Sequence, residues 1–309
     1  MQRQASRLIR AHAEVHARAG LIASEYSLIG LGATSQLTTL LLLLVPDNGG
    51  LLLLRPGLAA SAGLLACGAA ISVVGLWLDL GGTRRSRPMR RLWWPLAALA
   101  LTGALGSWLA LHRVGLEANL QQALASLRLL LLFVALAGTS LLTLAVLGMR
   151  ALVAVESGPA LPVVQLWQAT SHTMLGGLGL VALIGFSAEI LSRELQVYLA
   201  TAISVLCAHA TLAAAVVLHG SRRALRRLRA AGVGVPLLER AHALASMTLL
   251  LGLLLPGLAV LGHLLVSRNV NLIVACCVVA ISNHAMRYAS VLAPRTAGPQ
   301  AVPPAAETA

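Results

Sequence analysis

Long stretches without a charged residue alternate with short polar segments along the chain. The first stretch runs from Tyr26 to Pro46 and includes consecutive leucines from Leu40 to Leu44. About 20 apolar residues form a helix that crosses a hydrocarbon core roughly 30 Å thick. The pattern therefore predicts an all-α fold, a polytopic membrane bundle of eight transmembrane helices. They are predicted at or within residues 26–46, 56–78, 92–111, 129–149, 157–188, 195–218, 243–266 and 269–292.

The first predicted span carries an unusual number of polar residues. Glu25 and Tyr26 stand at its beginning and Gln36 lies inside it, together with Thr34, Ser35, Thr38 and Thr39. Polar side chains inside a membrane are costly when they face lipid. We therefore expect this helix to turn its polar side toward other helices or toward a bound ligand.

The composition agrees with an integral membrane protein. Hydrophobic residues make up 58% of the chain and charged residues only 11%, whereas soluble domains are about 25% charged. The net charge is +13, and all 23 basic residues are arginine. The arginines concentrate between the spans, where they are typical of topology signals and of contacts with anionic lipid headgroups. This distribution argues against a nucleic-acid partner.

The arginine distribution also predicts an orientation and a division of the chain. Eighteen arginines lie on one set of alternate loops and termini, and five lie on the other. The positive-inside rule then places both termini in the cytoplasm. We predict a basic amphipathic segment at 1–24, a transmembrane domain at 25–293 and a disordered Pro/Ala-rich tail at 294–309.

The loop after the second span is the densest polar segment. It contains Asp79, Arg87 and Arg90 among other arginines. A run of basic residues here is typical of an ordinary cytoplasmic stop signal. Alternatively, the loop forms a docking rim for a soluble subunit, or a headgroup site in which Asp79 accepts a proton.

A second polar region joins the fourth and fifth spans. Arg150 ends a span, a position where arginines commonly extend toward the membrane surface. His172 enters an apolar stretch and is the titratable residue of this region. Gly176 and Gly177 follow it and allow helices to approach closely.

Two further histidines, His209 and His284, lie at similar predicted depths in the sixth and eighth spans. A matched pair of histidines can bind the iron of a b-type haem. Alternatively, each imidazole is simply hydrogen-bonded within the bundle. The four cysteines form no C-x-x-C pair and are interpreted as packing residues.

Several of these features occur in the order found in one known family. The chain resembles the membrane anchor subunits of dimethyl sulfoxide reductases, including their eight-helix count. The matching segments are Glu25-Tyr26-Ser27-Leu28 with Gln36, Asp79-Leu80-Gly81 with Arg87-Pro88-Met89-Arg90, Met149-Arg150 with Pro159, Trp167 and Gly176-Gly177, and Arg287-Tyr288.

The resemblance implies a role in anaerobic electron transport at the inner membrane of a bacterium. Such an anchor holds a molybdopterin catalytic subunit and an iron–sulfur subunit at the membrane, oxidises menaquinol and carries no haem of its own. Asp79 stands where the family has a histidine and would accept the quinol proton. The residues implied in quinol binding or docking are Glu25, Gln36, Asp79, Arg87, Arg90, Arg150, His172 and Arg287.

Two other classes of protein fit the same pattern. One is a polytopic transporter or assembly factor without a redox role, and the other is a b-type cytochrome subunit that uses His209 and His284. The sequence contains no Walker loop, nucleophile elbow or HExxH motif, so we expect no separate catalytic centre.

Overall fold

The computed structural model describes residues 2–45, 48–77, 87–116, 127–155, 162–188, 191–230, 236–266 and 269–296. Within these ranges the protein is helical and contains no strand. The helices are α1 (Gln2–Leu42), α2 (Asn48–Trp77), α3 (Arg87–Leu116), α4 (Leu127–Val155), α5 (Pro162–Ser187), α6 (Arg193–Ala230), α7 (Pro236–Leu249), α8 (Leu255–Val266) and α9 (Asn269–Thr296). A short π-helical segment, Leu250–Leu254, connects α7 to α8.

Within the described residues, six apolar stretches are long enough to cross a membrane. They are Leu51–Gly75, Leu92–Val114, Leu127–Arg150, Leu166–Ser187, Arg193–Arg223 and His242–Val260. The protein is therefore an all-helical, multi-pass membrane protein. The first and last predicted spans also form helices, α1 and α9, but they are not among these six. The apolar part of α9, Ile273–Ala289, is shorter.

Helix α1 occupies the centre of the bundle. It packs against α2, α3, α4, α5 and α9, and its polar residues Ser27, Thr34, Ser35, Gln36 and Thr39 are all buried. The expectation that this helix turns its polar side toward other helices is confirmed. Polar residues are tolerated along α1 because this helix is surrounded by other helices and has little surface that faces lipid.

The outer helices show the opposite pattern. Leu130, Leu131, Val134 and Leu141 of α4 are more than half exposed, and such a surface is stable only against lipid or another apolar partner. The opposite side of α4 contributes Leu129, Phe133 and Leu136 to an apolar core that it shares with α1, α2 and α3.

Glycines set the closest helix contacts. A Cβ atom on Gly177 of α5 would overlap the Thr34 side chain and lie 2.7 Å from the backbone nitrogen of Ser35. Gly57 and Gly68 of α2 make similarly close approaches to α1, at Thr39 and Ile29. The predicted close packing at the Gly176-Gly177 pair is therefore confirmed for both glycines, since Gly176 lies against Leu31 and Asn283.

The seventh apolar stretch is interrupted by the π-helical segment. Pro256 follows this segment and has no N–H group to donate to the preceding turn. The carbonyl of Gly252, four residues earlier, instead accepts a 3.1 Å hydrogen bond from the Ser282 hydroxyl of α9. A neighbouring helix thus supplies the hydrogen bond that this carbonyl lacks within its own helix, as backbone groups inside a membrane require.

Candidate functional site

A buried ion pair joins α1 to α4. Nη1 of Arg150 donates to Oε1 of Glu25 at 2.9 Å, and Nη2 donates to Oε2 at 3.1 Å. Both side chains are almost completely buried, with 0% of Arg150 and 2% of Glu25 exposed. The interpretation of Arg150 as a residue that extends to the membrane surface is wrong, because its guanidinium binds a carboxylate inside the bundle.

Two further helices supply donors to the same carboxylate. The Ser72 hydroxyl of α2 donates to Oε1 of Glu25, and Nε1 of Trp93 in α3 donates to Oε2 at 2.9 Å. Each carboxylate oxygen thus accepts two hydrogen bonds. A buried charge needs such compensation, because the low-dielectric interior does not replace its lost hydration.

Aromatic rings extend this site toward α9. The Arg150 guanidinium carbon lies 4.7 Å from the centre of the Tyr26 ring and 5.2 Å from that of Trp93. The Arg287 guanidinium carbon lies 5.8 Å from the same Tyr26 ring. Such cation–π contacts strengthen when water is excluded. Tyr26 therefore connects the ion pair to a second buried arginine.

Arg287 also ties α9 to α5. Its Nη2 donates to the carbonyl of Ala169 at 2.6 Å and to the Thr173 hydroxyl. We define the polar cluster as Glu25, Tyr26, Ser72, Trp93, Arg150, Thr173 and Arg287. It draws on six helices, α1 to α5 and α9, at one level of the bundle.

A cavity of about 20 Å³ adjoins the polar cluster. One side is apolar and formed by Leu144, Leu147 and Gly148 of α4, and the other carries Thr170, Thr173 and Arg287. This volume is enough for one water molecule or one polar substituent of a larger ligand. It lies where α4, α5 and α9 meet.

The polar cluster contains three of the residues implied in quinol binding or docking, namely Glu25, Arg150 and Arg287. His172 lies beside the cluster and not in it, since it is buried on α5 next to Thr173. Asp79 lies outside the described residues. Arg87 and Arg90 belong to the first turn of α3, and their side chains also lie outside the described part of the chain.

Ser72, Trp93 and Thr173 carry no distinctive signal in the sequence. A serine or threonine in an apolar span is common, and Trp93 follows the basic loop at a position typical of an interfacial aromatic. A glutamate at the start of an apolar span predicts hydrogen-bond donors around its carboxylate. It does not identify which helices supply those donors.

Gln36 lies at a different level of the bundle. It follows Glu25 by eleven residues on α1, about 16 Å along a helix that rises 1.5 Å per residue. Its Nε2 donates to the Gly103 carbonyl at 3.2 Å and to the Ser107 hydroxyl at 2.6 Å, and its Oε1 accepts from Ser140 at 2.6 Å. These bonds join α1, α3 and α4, so the described contacts of Gln36 are structural.

Replacing Gln36 by leucine is expected to destabilise the bundle by about 2 kcal/mol, because three interhelical hydrogen bonds are lost at roughly 0.6 kcal/mol each. The measurement is thermal unfolding of the purified protein in detergent. Thr102→Val is the matched control, since the exposed Thr102 hydroxyl donates to the Ala98 carbonyl of its own helix and makes no interhelical bond within the described residues. Equal melting temperatures for Gln36→Leu and the wild type would contradict this interpretation.

The two histidines of the cytochrome alternative have separate neighbours, and both are exposed on the helix surface. Nδ1 of His209 donates to the Val205 carbonyl at 2.9 Å, and the ring meets Trp167 edge-on with centroids 6.4 Å apart. His284 lies on α9 with its Nδ1 3.3 Å from the Ser27 hydroxyl of α1.

The described residues contain no group of three or more His, Cys, Asp or Glu side chains that could hold a metal ion. The chemistry available at the polar cluster is therefore that of a carboxylate, two guanidinium groups, hydroxyls and aromatic rings. Such groups can bind a polar headgroup and position its oxygens.

Comparison with known proteins adds no further identification. No known protein family matches this chain, no curated protein matches it, and no solved structure matches it.

Proposed function

We propose that this protein is the membrane anchor subunit of a molybdenum oxidoreductase similar to dimethyl sulfoxide reductase. In this role it oxidises menaquinol during anaerobic respiration and passes the electrons to an iron–sulfur subunit. The observation that carries the proposal is the convergence of Glu25, Arg150 and Arg287. These residues come from three separate segments of the family resemblance, yet they lie within one buried cluster.

The two helices on either side of Asp79 in the sequence, α2 and α3, both contribute to the same cluster. Ser72 lies five residues before the end of α2 at Trp77, and Trp93 lies six residues after the start of α3 at Arg87. Both side chains bind Glu25. Asp79 follows a helix that contributes to the cluster and precedes another, and this supports its proposed role as the proton acceptor for a quinol.

In the proposed reaction, menaquinol loses two protons and two electrons and becomes menaquinone. Asp79 takes one proton from a quinol hydroxyl, the second proton is released to water at the membrane surface, and the two electrons pass to the iron–sulfur clusters of the partner subunit. The Glu25–Arg150 pair fixes the surrounding helices, and Arg287 offers N–H donors that stabilise negative charge on a quinol oxygen as its proton leaves. The anchor itself needs no haem for this step.

We further propose that the chain crosses the inner membrane eight times with both termini in the cytoplasm. The six apolar stretches would be joined by α1 and α9, whose polar sides face the cluster. Reporter fusions that fluoresce only in the cytoplasm test this topology. Fluorescence is expected for fusions at both ends of the chain. Fluorescence at one end and none at the other would contradict an even number of spans.

A transporter is the second candidate, because the structure contains a buried acid–base pair and a π-helical interruption beside Pro256. Buried charges and broken helices line the substrate sites of many transporters. A transporter would function without an iron–sulfur partner, so purification of the native complex separates the two proposals.

The expected result is that the tagged protein, purified from cells grown anaerobically, carries an iron–sulfur subunit and a molybdopterin subunit. The complex should reduce an external acceptor with menaquinol, and Asp79→Asn should slow that step at least tenfold. Glu239→Gln provides a control, because Glu239 is exposed and pairs with Arg229 away from the cluster.

One outcome would contradict the anchor role, and another would contradict the role of Asp79. Isolation of the chain without redox subunits would favour the transporter. Unchanged menaquinol oxidation in Asp79→Asn would remove Asp79 from the mechanism while leaving the anchor role intact.

A further inference from the structure

Two buried side chains beside the polar cluster have polar atoms without a hydrogen-bond partner. They are His172 of α5, at Nε2, and Asn283 of α9, at both Oδ1 and Nδ2. His172 is only 2% exposed and Asn283 only 1%. Buried polar groups in folded proteins are almost always hydrogen-bonded, and this is more pronounced within a membrane, where water is scarce.

Asn283 lies in the contact between α5 and α9, and His172 is buried on the same part of α5. Nδ2 of Asn283 is 3.1 Å from the position that a Cβ atom on Gly176 would occupy. Gly176 follows His172 by one helical turn, and Arg287 follows Asn283 by one turn. Arg287 in turn bonds to Thr173, the residue after His172. His172 and Asn283 do not line the cavity themselves, but each lies within one helical turn of a residue that does, Thr173 on α5 and Arg287 on α9.

The chemistry of these groups fits a ligand with a ring oxygen. The Asn283 amide carries both donors and an acceptor, so it can bind a hydroxyl or a carbonyl without changing its own protonation. A neutral imidazole likewise offers either a donor or an acceptor at Nε2. A pair of this kind serves both redox forms of a quinone, whose oxygen is a hydroxyl when reduced and a carbonyl when oxidised.

A glycine at position 176 is consistent with this use. Any larger residue there would crowd the Asn283 amide and the Leu31 side chain. The glycine thus leaves room for the Asn283 amide against the backbone of α5, where that amide packs without a hydrogen bond. A purely structural asparagine at a helix contact would be expected to bond across that contact, as Ser282 does with Gly252.

We propose that His172 and Asn283 bind the ring oxygen of a quinone headgroup between α5 and α9, with Arg287 on the side of the cavity. This inference rests on the proposed function and assigns its headgroup-binding residues. Leucine at either position removes the polar atoms at similar size. It also removes buried groups that lack partners in the ligand-free protein, a change that does not destabilise the fold.

The test measures binding of menadione, a naphthoquinone without the isoprenoid tail, to the purified wild type and to His172→Leu and Asn283→Leu. Binding is followed by the increase in melting temperature with menadione concentration. Both variants should bind at least tenfold more weakly, and their melting temperatures without menadione should equal or exceed that of the wild type. His284→Leu is the control, since His284 is adjacent to Asn283 but exposed, and its affinity should not change.

Two results would overturn the inference. Lower melting temperatures without menadione, together with unchanged affinity, would show that the two residues are structural. Unchanged affinity at unchanged or higher stability would show that they hold only a fixed water molecule. If the native complex oxidises menaquinol while both variants bind normally, this inference fails and the proposed function remains. If the wild type neither binds menadione nor carries redox subunits, the proposed function fails with it.

Discussion

Glu25→Gln is expected to destabilise the protein by roughly 3–5 kcal/mol, the range seen when one partner of a buried ion pair is removed. The variant keeps the size of the side chain but leaves the Arg150 guanidinium, which is 0% exposed, without its carboxylate. The NH₂ group of the glutamine would also face a hydrogen-bond donor, because Ser72 and Trp93 donate to the two oxygens of the Glu25 carboxylate. Thermal or denaturant unfolding in detergent measures the loss.

An exposed ion pair supplies the matched control. Arg229 and Glu239 are 65% and 42% exposed and form the same type of contact at 2.8 Å. Exposed pairs contribute about 0–1 kcal/mol, so Glu239→Gln should change stability little. Glu25→Leu combined with Arg150→Met should recover a large part of the loss, because neither charge is then buried alone. Equal effects of Glu25→Gln and Glu239→Gln would contradict the buried pair.

Gly177→Ala is expected to separate α1 from α5 and to cost roughly 1–3 kcal/mol or more, as overpacking of a tight contact does. The added methyl group would lie 2.7 Å from the backbone nitrogen of Ser35. A backbone atom cannot move aside in the way a flexible side chain can, so the two helices must shift. The measurements are the melting temperature and the yield of folded protein in detergent, and both should decrease.

Gly63→Ala is the control for this substitution. Gly63 lies on α2, and a Cβ atom added there would have no atom of another helix within 4 Å. Alanine at this position gains helix propensity without a steric conflict and should be neutral or slightly stabilising. A neutral Gly177→Ala would mean that α1 and α5 do not approach as closely as the structure indicates.

The helices were predictable because their signal is local. Uncharged runs of about 20 residues locate membrane helices without reference to the rest of the chain, and each predicted span overlaps a helix here. The inward side of α1 was also predictable, because Thr34, Ser35 and Gln36 would be costly in lipid. Both inferences need only the neighbouring residues and the properties of the membrane.

The polar cluster was not predictable from spacing alone, because its contacts join distant segments. Arg150 follows Glu25 by 125 residues, and nothing in the sequence fixes which helices pack together. At the end of an apolar span, Arg150 has the same local pattern as an arginine that extends to the surface. Only the position of α4 against α1 distinguishes the two cases.

The proposed site for the quinone was partly visible in the sequence. His172 stood out as a titratable group entering an apolar stretch, whereas Asn283 gave no signal that separates a ligand-binding amide from a structural one. Its distinguishing property is that both polar atoms are buried without a partner. That property depends on the packing of α5 against α9, which the pattern of apolar residues does not specify.

The most direct test of the central proposal is photo-crosslinking of an azido-naphthoquinone to the purified wild-type protein, followed by mapping of the labelled peptides. The account predicts label in α1 near Tyr26, in α5 near His172 and in α9 near Asn283, and excess menadione should remove it. Label confined to the outward surface of α4 near Leu130, and insensitive to menadione, would contradict a quinone site at the polar cluster.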